Sequence, residues 1–325
     1  MSLSSSYAII KLPAEESHQY FQSLQVDSAE NAVLHIQPFD PSKEKITLLK
    51  ASKEIEKNIA TKTFTPCQIQ ETIQLNYNKN IQNAQLAFAQ TDLHKVIVSK
   101  IKTIAKPSNF NVLDYYKRLG SAYPHAATSL FVLDNCAWIA AAPELLLKRK
   151  SNHIETVSLA GTVHKSSANT FNHKEFDEQD IVTKSIFVTL QPYCLNHTIT
   201  INEREIAAAG PVTHLKSRIH AELQSNVSAE TILSALHPTP AIAGFPKQDA
   251  LDFILKNEAH DRDLYGGYWG IQSQAEENYY VHIRCMQVFA DKIAFYAGGG
   301  ITAGSNADAE WEEAEQKMQT LISLL

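Results

Sequence analysis

Apolar and polar positions change their spacing several times along this chain, and each change marks a predicted element. The first 85 or so residues carry short apolar runs, "YAIIKL", "AVLHIQPF" and "KITLL", cut by polar turns, which is the pattern of short strands. Beyond "VLDYYKRLGSA" the order tightens. "ATSLFVLDNCAWIAAAPELLLKRK" and "HIETVSLAGTV" read as strands joined by turns. "KEFDEQDIVTKSIFVTLQPY" switches to helical spacing, with Phe176, Ile181, Ile186 and Leu190 joined by Val182 and Val188. "ITINE" reads as a strand, "AETILSAL" as a helix stopped by the prolines of "HPTPA", and "PKQDALDFILKNEAH" as a helix with proline at its start. "YYVHIRCMQVFADKIAFYAGGG" predicts a hairpin turning near Ala290 and Asp291, and a final helix closes the chain. Antiparallel-type strands with helices between them predict an α+β or mixed α/β fold and exclude a doubly wound parallel sheet.

Composition narrows the partners. A chain of 325 residues with 44% hydrophobic content can bury a large core, and a formal charge of −6 disfavours nucleic acid or an anionic membrane, each of which attracts basic surfaces. A small molecule fits better. The four cysteines, Cys67, Cys136, Cys194 and Cys285, have no CxxC spacing and read as reduced thiols in the cytoplasm. No apolar run reaches the length that spans a bilayer, and nothing reads as an export signal.

Several positions carry candidate chemistry, each with a plainer reading beside it. In "AEWEEAEQKM", helical phase puts Trp311, Ala314 and Met318 on an apolar stripe that continues to Leu321, Ile322 and Leu325. Glu312 and Glu315 fall on the solvent side, and Glu310, Glu313 and Lys317 on the shoulder. Glu313 and Lys317 fit an ordinary i, i+4 ion pair as well as a site. The glycines of "AGGGITAGS" match neither a dinucleotide fingerprint nor a P-loop, which leaves an ordinary turn or a backbone cradle for a carboxylate. Arg284 suits bidentate carboxylate binding or a surface pair. His237 suits a pocket or a helix cap. Lys95, beside a β-branched run, suits a base or a snorkelling strand end. Glu144, between a proline and three leucines, suits an acid kept protonated or a turn carboxylate. Glu178 suits a site or plain surface charge.

Taken together, "KVIVSK", "APELLLKR", "SLAGTV", "EQDIV", "HPTPAIAGFP", "DRDLYGGYWG", "IRCMQV", "YAGGGITAGS" and "EWEEAEQK" stand in the order and spacing of the chorismate-utilising enzymes. From Asp92 to Leu325 the chain resembles that family, and within it the isochorismate synthases. The resemblance implies one domain over residues 1–325, with a shortened N-terminal part to about residue 90 and a motif-bearing part over 91–325. It also implies two packed β-sheets, outer helices and a central cleft. Lys95 matches the base that activates water for attack at C2 of chorismate, and Glu144 the acid that protonates the departing C4 hydroxyl. Glu178 and Glu313 match carboxylates that hold Mg²⁺, with Glu310 supporting the metal. Arg284, Tyr296, Lys317 and the backbone of Gly299 and Gly300 match positions that bind substrate carboxylates, and Gly161, Thr162 and His237 match pocket positions.

Lysine at the base position and the leucine of "SLAGT" resemble the water-using branch, where anthranilate synthases have glutamine and take ammonia. The expectation is therefore an Mg²⁺-dependent, reversible isochorismate synthase, a cytoplasmic monomer without a glutaminase subunit, feeding menaquinone, siderophore or other catechol synthesis. Salicylate synthase is the alternative, ahead of anthranilate or aminodeoxychorismate synthase and of a non-catalytic relative that binds chorismate. Three departures stand out: "APE" for "SPE", "EQ" for "EH" or "EN", and Asp263 where glycine is usual. The short N-terminal part leaves little room for a tryptophan-binding regulatory site.

Overall fold

The computed structural model describes residues 6–23, 32–164, 171–209 and 212–325. The N-terminal part holds strands β1 (Tyr7–Lys11), β2 (Gln19–Gln22), β3 (Val33–Gln37) and β4 (Ile46–Ala51), then helices α1 (Ile55–Ala60) and α2 (Gln74–Gln90). Next come β5 (Lys95–Ala105), α3 (Val112–Ala122), β6 (Ala127–Val132), β7 (Ala137–Ala142), β8 (Leu145–Lys150), β9 (His153–His164) and α4 (His173–Leu190). They are followed by β10 (Thr200–Ile201), β11 (Glu205–Ala209), β12 (Val212–Glu222), α5 (Ala229–Leu236), β13 (Gly244–Phe245) and α6 (Lys247–Asn257). The chain ends in β14 (Tyr268–Gln272), β15 (Glu277–Val281), β16 (Cys285–Val288), β17 (Lys292–Ile301) and α7 (Ala307–Ile322).

All the described ladders are antiparallel, and they form one path. One leaf runs β13, β5, β17, β16, β7, β6, β1, β2; the other runs β3, β14, β15, β8, β9, β12, with β10 and β11 at its edge. Strand β4 joins them, pairing β3 through Ile46–Leu49 and β2 through Leu49–Ala51. The two packed sheets are thus leaves of a single ladder folded at β4, and strands from the first 90 residues are built into both.

Period-two alternation supplies each leaf with two apolar faces. Ile10, Phe21, Phe131 and Trp138 of the first leaf meet Leu34, Trp269 and Ile271 of the second in a central core. Their neighbours Ile9, Leu130 and Ile139 turn outward onto α1, α3 and α7, while Leu147, Ile154 and Ile219 turn outward onto α4, α5 and α6. Burial of each such side chain contributes about 1.5–3 kcal/mol before the cost of ordering the chain.

Three elements differ from their predicted form. Helix α2 is absent from the apolar pattern because only Tyr77, Ile81 and Ala84 are buried on it. Helix α4 buries Val182, Ile186 and Leu190 as predicted, but Glu175 and Gln179 complete that face, while Phe176 and Val188 are exposed. The predicted strand through "YYVHIRCMQV" is broken: β15 lies in the second leaf and β16 in the first, so residues 282–284 cross between leaves.

Candidate active site

Two such crossings lie side by side. Proline at 143 cannot donate to a ladder, and the chain passes there from β7 in the first leaf to β8 in the second. The Glu144 carbonyl accepts from Val281 N–H at 3.1 Å, and the Arg284 carbonyl accepts from Ala141 N–H at 3.1 Å. These corners carry Glu144 and Arg284 into a cleft between the leaves. Arg284 adopts a left-handed backbone (φ 52°), a strained state for a non-glycine residue.

Glu144 is 3% exposed, and burial pushes its carboxyl up to about 8 against the opposing pull of Lys95. It is therefore protonated at neutral pH. Arg284 is buried, and desolvation brings it down to about 10. Its guanidinium donates to Thr320 Oγ1 at 3.3 Å, to the Lys317 carbonyl at 3.4 Å, and to His214 Nε2 at 3.0 Å. His214 is held neutral, first by burial and then by the charges of Arg284 and Lys317. Among the described residues no carboxylate pairs directly with Arg284, and its hydrogen-bond partners are neutral groups, a state that favours an anionic ligand.

The other wall is the glycine run of β17 beside β5. A Cβ on Gly300 would stand 2.4 Å from Glu178 Oε1 and 3.1 Å from Lys95 Cε. Glycine there lets both functional groups reach the strand. Lys95 is fully buried, with Nζ 2.9 Å from Glu178 Oε1. Lys317 Nζ donates to the Gly298 carbonyl at 2.8 Å and pairs with Glu313 at 2.7 Å. Gly161 (φ 67°) lines the cleft against the start of α4, where a Cβ would lie 2.7 Å from the Glu175 carbonyl oxygen. Tyr296 lines it too, and its hydroxyl donates to Gln287 Oε1 at 2.8 Å.

The structure thus brings Glu144, Gly161, Glu178, Arg284, Tyr296, Gly300 and Lys317 to one cleft, with Lys95 on Glu178 and Glu313 on Lys317 each one ion pair behind its wall. It separates Glu310, Gly299 and His237 from them. Successive Cβ directions on a strand alternate, so Gly299 turns from the cleft toward Glu310, whose Oε2 lies 2.8 Å from its Cβ direction. Glu310 is 2% exposed and accepts from the Ser305 hydroxyl at 2.8 Å, at the start of α7. The helical phase that grouped Glu310 with Glu313 misplaced it relative to the cleft. His237 is the C-cap of α5. Its Nε2 lies 3.1 Å from the Phe39 carbonyl, and burial, then the Lys247 charge, lowers it to about 4. The Thr162 side chain lies outside the described residues. Glu315, predicted to be solvated, pairs with Lys100 at 2.5 Å and Lys102 at 2.6 Å. Sequence reasoning passed over His214 and Tyr265, which line the cleft. Neither carries a local signal, since His214 sits inside β12 and Tyr265 in the turn before β14.

The donor set bears on a metal. Among the described residues no three His, Cys, Asp or Glu side chains are grouped as ligands. Glu178, against Lys95 and Gly300, and Glu313, against Lys317, remain as two hard carboxylates. One or two protein carboxylates completed by substrate oxygen and water is the Mg²⁺ pattern, so these residues fit that ion.

The family model described as "Chorismate binding enzyme" matches residues 14–325. Isochorismate synthase MenF of Pasteurella multocida is 29% identical over 312 residues, spanning 87% of this chain and 69% of that protein. Isochorismate synthase EntC of Escherichia coli is 24% identical over 310 residues, spanning 88% of this chain and 79% of that one. The solved structure of MenF, the menaquinone-specific isochorismate synthase of Escherichia coli, superposes with a TM-score of 0.80 at 21% identity, covering 98% of this chain and 88% of that chain, a likeness of fold.

Proposed function

This chain belongs to the chorismate binding enzyme family, and we propose that it is an isochorismate synthase, an isomerase that moves the ring hydroxyl of chorismate from C4 to C2. The observation that carries this reading is a matched pair at one cleft: Glu144, a buried carboxylic acid held at about 8, lines it, and the fully buried Lys95 lies behind its wall against Glu178. A binding module needs no such pair. Relatives named isochorismate synthase over most of the chain support it.

Lys95, its amine aimed by Glu178, takes a proton from water as the oxygen bonds to C2. The ring double bond shifts, the C4–O bond breaks, and Glu144 gives its proton to the departing oxygen, which leaves as water. Lys95 ends protonated and Glu144 ionised, and the same steps read backward return chorismate. Arg284 and Tyr296 bind a substrate carboxylate, and Lys317 with the backbone of Gly298 and Gly300 faces the other. Glu178 and Glu313 would hold Mg²⁺, which supplies positive charge against a substrate carboxylate when bound. Lysine at the base position uses water, so no ammonia-supplying subunit is needed. The free thiols at all four cysteines support a reducing compartment, the cytoplasm, and we read the chain as a monomer.

Purified protein with chorismate and Mg²⁺, without ammonia, should give isochorismate by chromatography. Pyruvate formed in step with chorismate loss would replace this reading with salicylate synthase, and a requirement for ammonia would end it.

A further inference from the structure

The reaction cleft has two neighbouring cavities of opposite character. Past Tyr296 lies a broad one lined by Glu44, Glu71, Asp134, Asp261 and Asp263, against Lys43 and His260. Past the Arg284 and His214 pair lies another, which shares Pro143, Leu159, His214 and Arg284 with the cleft. Its remaining polar lining includes Lys216 and His125, and no Asp or Glu lines it among the described residues. Lys216 is partnered at the rim by Glu205, 2.9 Å away and half exposed. His125 is exposed.

We propose that this second cavity is the vestibule by which the substrate enters, with Lys216 and His125 as its electrostatic rim and Arg284 as the first fixed cation inside. The proposal rests on the dicarboxylate substrate read above. A dianion approaching a chain of net charge −6 is repelled over most of the surface, and walls of one sign focus the field and raise the encounter rate. The acidic cavity past Tyr296 opposes entry on that side. On the cationic side, Arg284 and His214 form the shared wall, both buried, and the Arg284 guanidinium donates only to neutral groups. A carboxylate passing Lys216 therefore meets, at the boundary of the cleft, a guanidinium that no carboxylate hydrogen-bonds among the described residues.

Stopped-flow quenching of tryptophan fluorescence by chorismate, with Mg²⁺ at low ionic strength, tests the route. Lys216→Glu combined with His125→Glu should slow association by about tenfold and flatten its dependence on salt, while saturated turnover is unchanged. Lys216→Gln alone should show an intermediate slowing, which guards against a folding defect in the double variant. Lys43→Glu, on the acidic side, should leave association within about twofold of wild type. Unchanged association in the double variant, or an equal loss in Lys43→Glu, overturns the vestibule. Chorismate that binds wild-type protein without forming isochorismate defeats the proposed activity instead, and the rate comparison still decides the route.

Discussion

Lys95 and Lys100 stand five residues apart on β5, both buried and each against a glutamate, yet they occupy opposite faces of the strand. Lys95 meets Glu178 at 2.9 Å, the two side chains packing where Gly300 lacks a Cβ, and Glu178 lines the cleft with Glu144. Lys100 meets Glu315 at 2.5 Å with Nζ 2.9 Å from the centre of the Trp311 ring, and Lys102 shares that carboxylate. Burial brings the Lys100 ammonium below its ordinary value despite Glu315. Neither burial nor an ion pair therefore marks a catalytic lysine. What separates the two is what their partners face: Glu178 lines the cleft beside Gly300, whereas Glu315 is shared with Lys102 and indole covers Lys100. Lys100 fastens α7 to β5, and in doing so fixes the rotation that presents Glu313 and Lys317.

Lys95→Ala should strip about 10³-fold from turnover while chorismate binding, followed by fluorescence titration, stays within a few-fold; near-normal turnover would remove the base role and erase the contrast. Glu144→Gln should cost about 10²-fold in kcat. In wild-type enzyme kcat/KM should fall as pH rises through about 8, where the acid ionises, and that limb should vanish in the variant. The linkage has a definite sign. The folded-state value of Glu144 lies above its ordinary 4.5, so its contribution to stability is complete below 4.5 and is lost as pH rises through about 8. Glu144→Gln should therefore gain stability relative to wild type between pH 5 and pH 9, measured by urea unfolding; a constant difference across that range would contradict a buried, neutral acid.

Smaller effects sharpen the same comparison. Glu313→Gln should raise the Mg²⁺ concentration for half-maximal activity roughly tenfold, whereas Glu312→Gln, on the exposed face, should leave it unchanged. Equal responses would deny Glu313 its separate place. Lys100→Met should keep turnover per folded molecule within about twofold yet lower stability by about 2 kcal/mol, short of the cost of breaking a fully buried pair because Glu315 regains water. Loss of turnover without loss of stability would make Lys100 a site residue.

Local spacing made much of this legible. The apolar stripe of Ala314, Met318 and Leu321, the Val182, Ile186 and Leu190 face of α4, and the paired strands were all readable because each depends on neighbours within a few positions. Glu310 and Glu315 were misread for the opposite reason. Helical phase measures angles around one axis, and only the strand packed beneath α7 decides which angle faces a cleft. His214 gave no signal, because its role depends on Arg284, 70 residues away.

By itself, the sequence determined the periods of the elements, the antiparallel character of the fold and the set of chemical groups, along with their order as the motifs of one family. Tertiary structure alone decided that the chain crosses between leaves at Pro143 and again at residues 282–284, setting an acid and a cation side by side, and that Lys95 backs onto a cleft-lining glutamate while Lys100 lies against tryptophan. The reason is range: periodicity and propensity act over a few residues, whereas burial, dielectric and ion pairing depend on partners that meet only when distant segments pack.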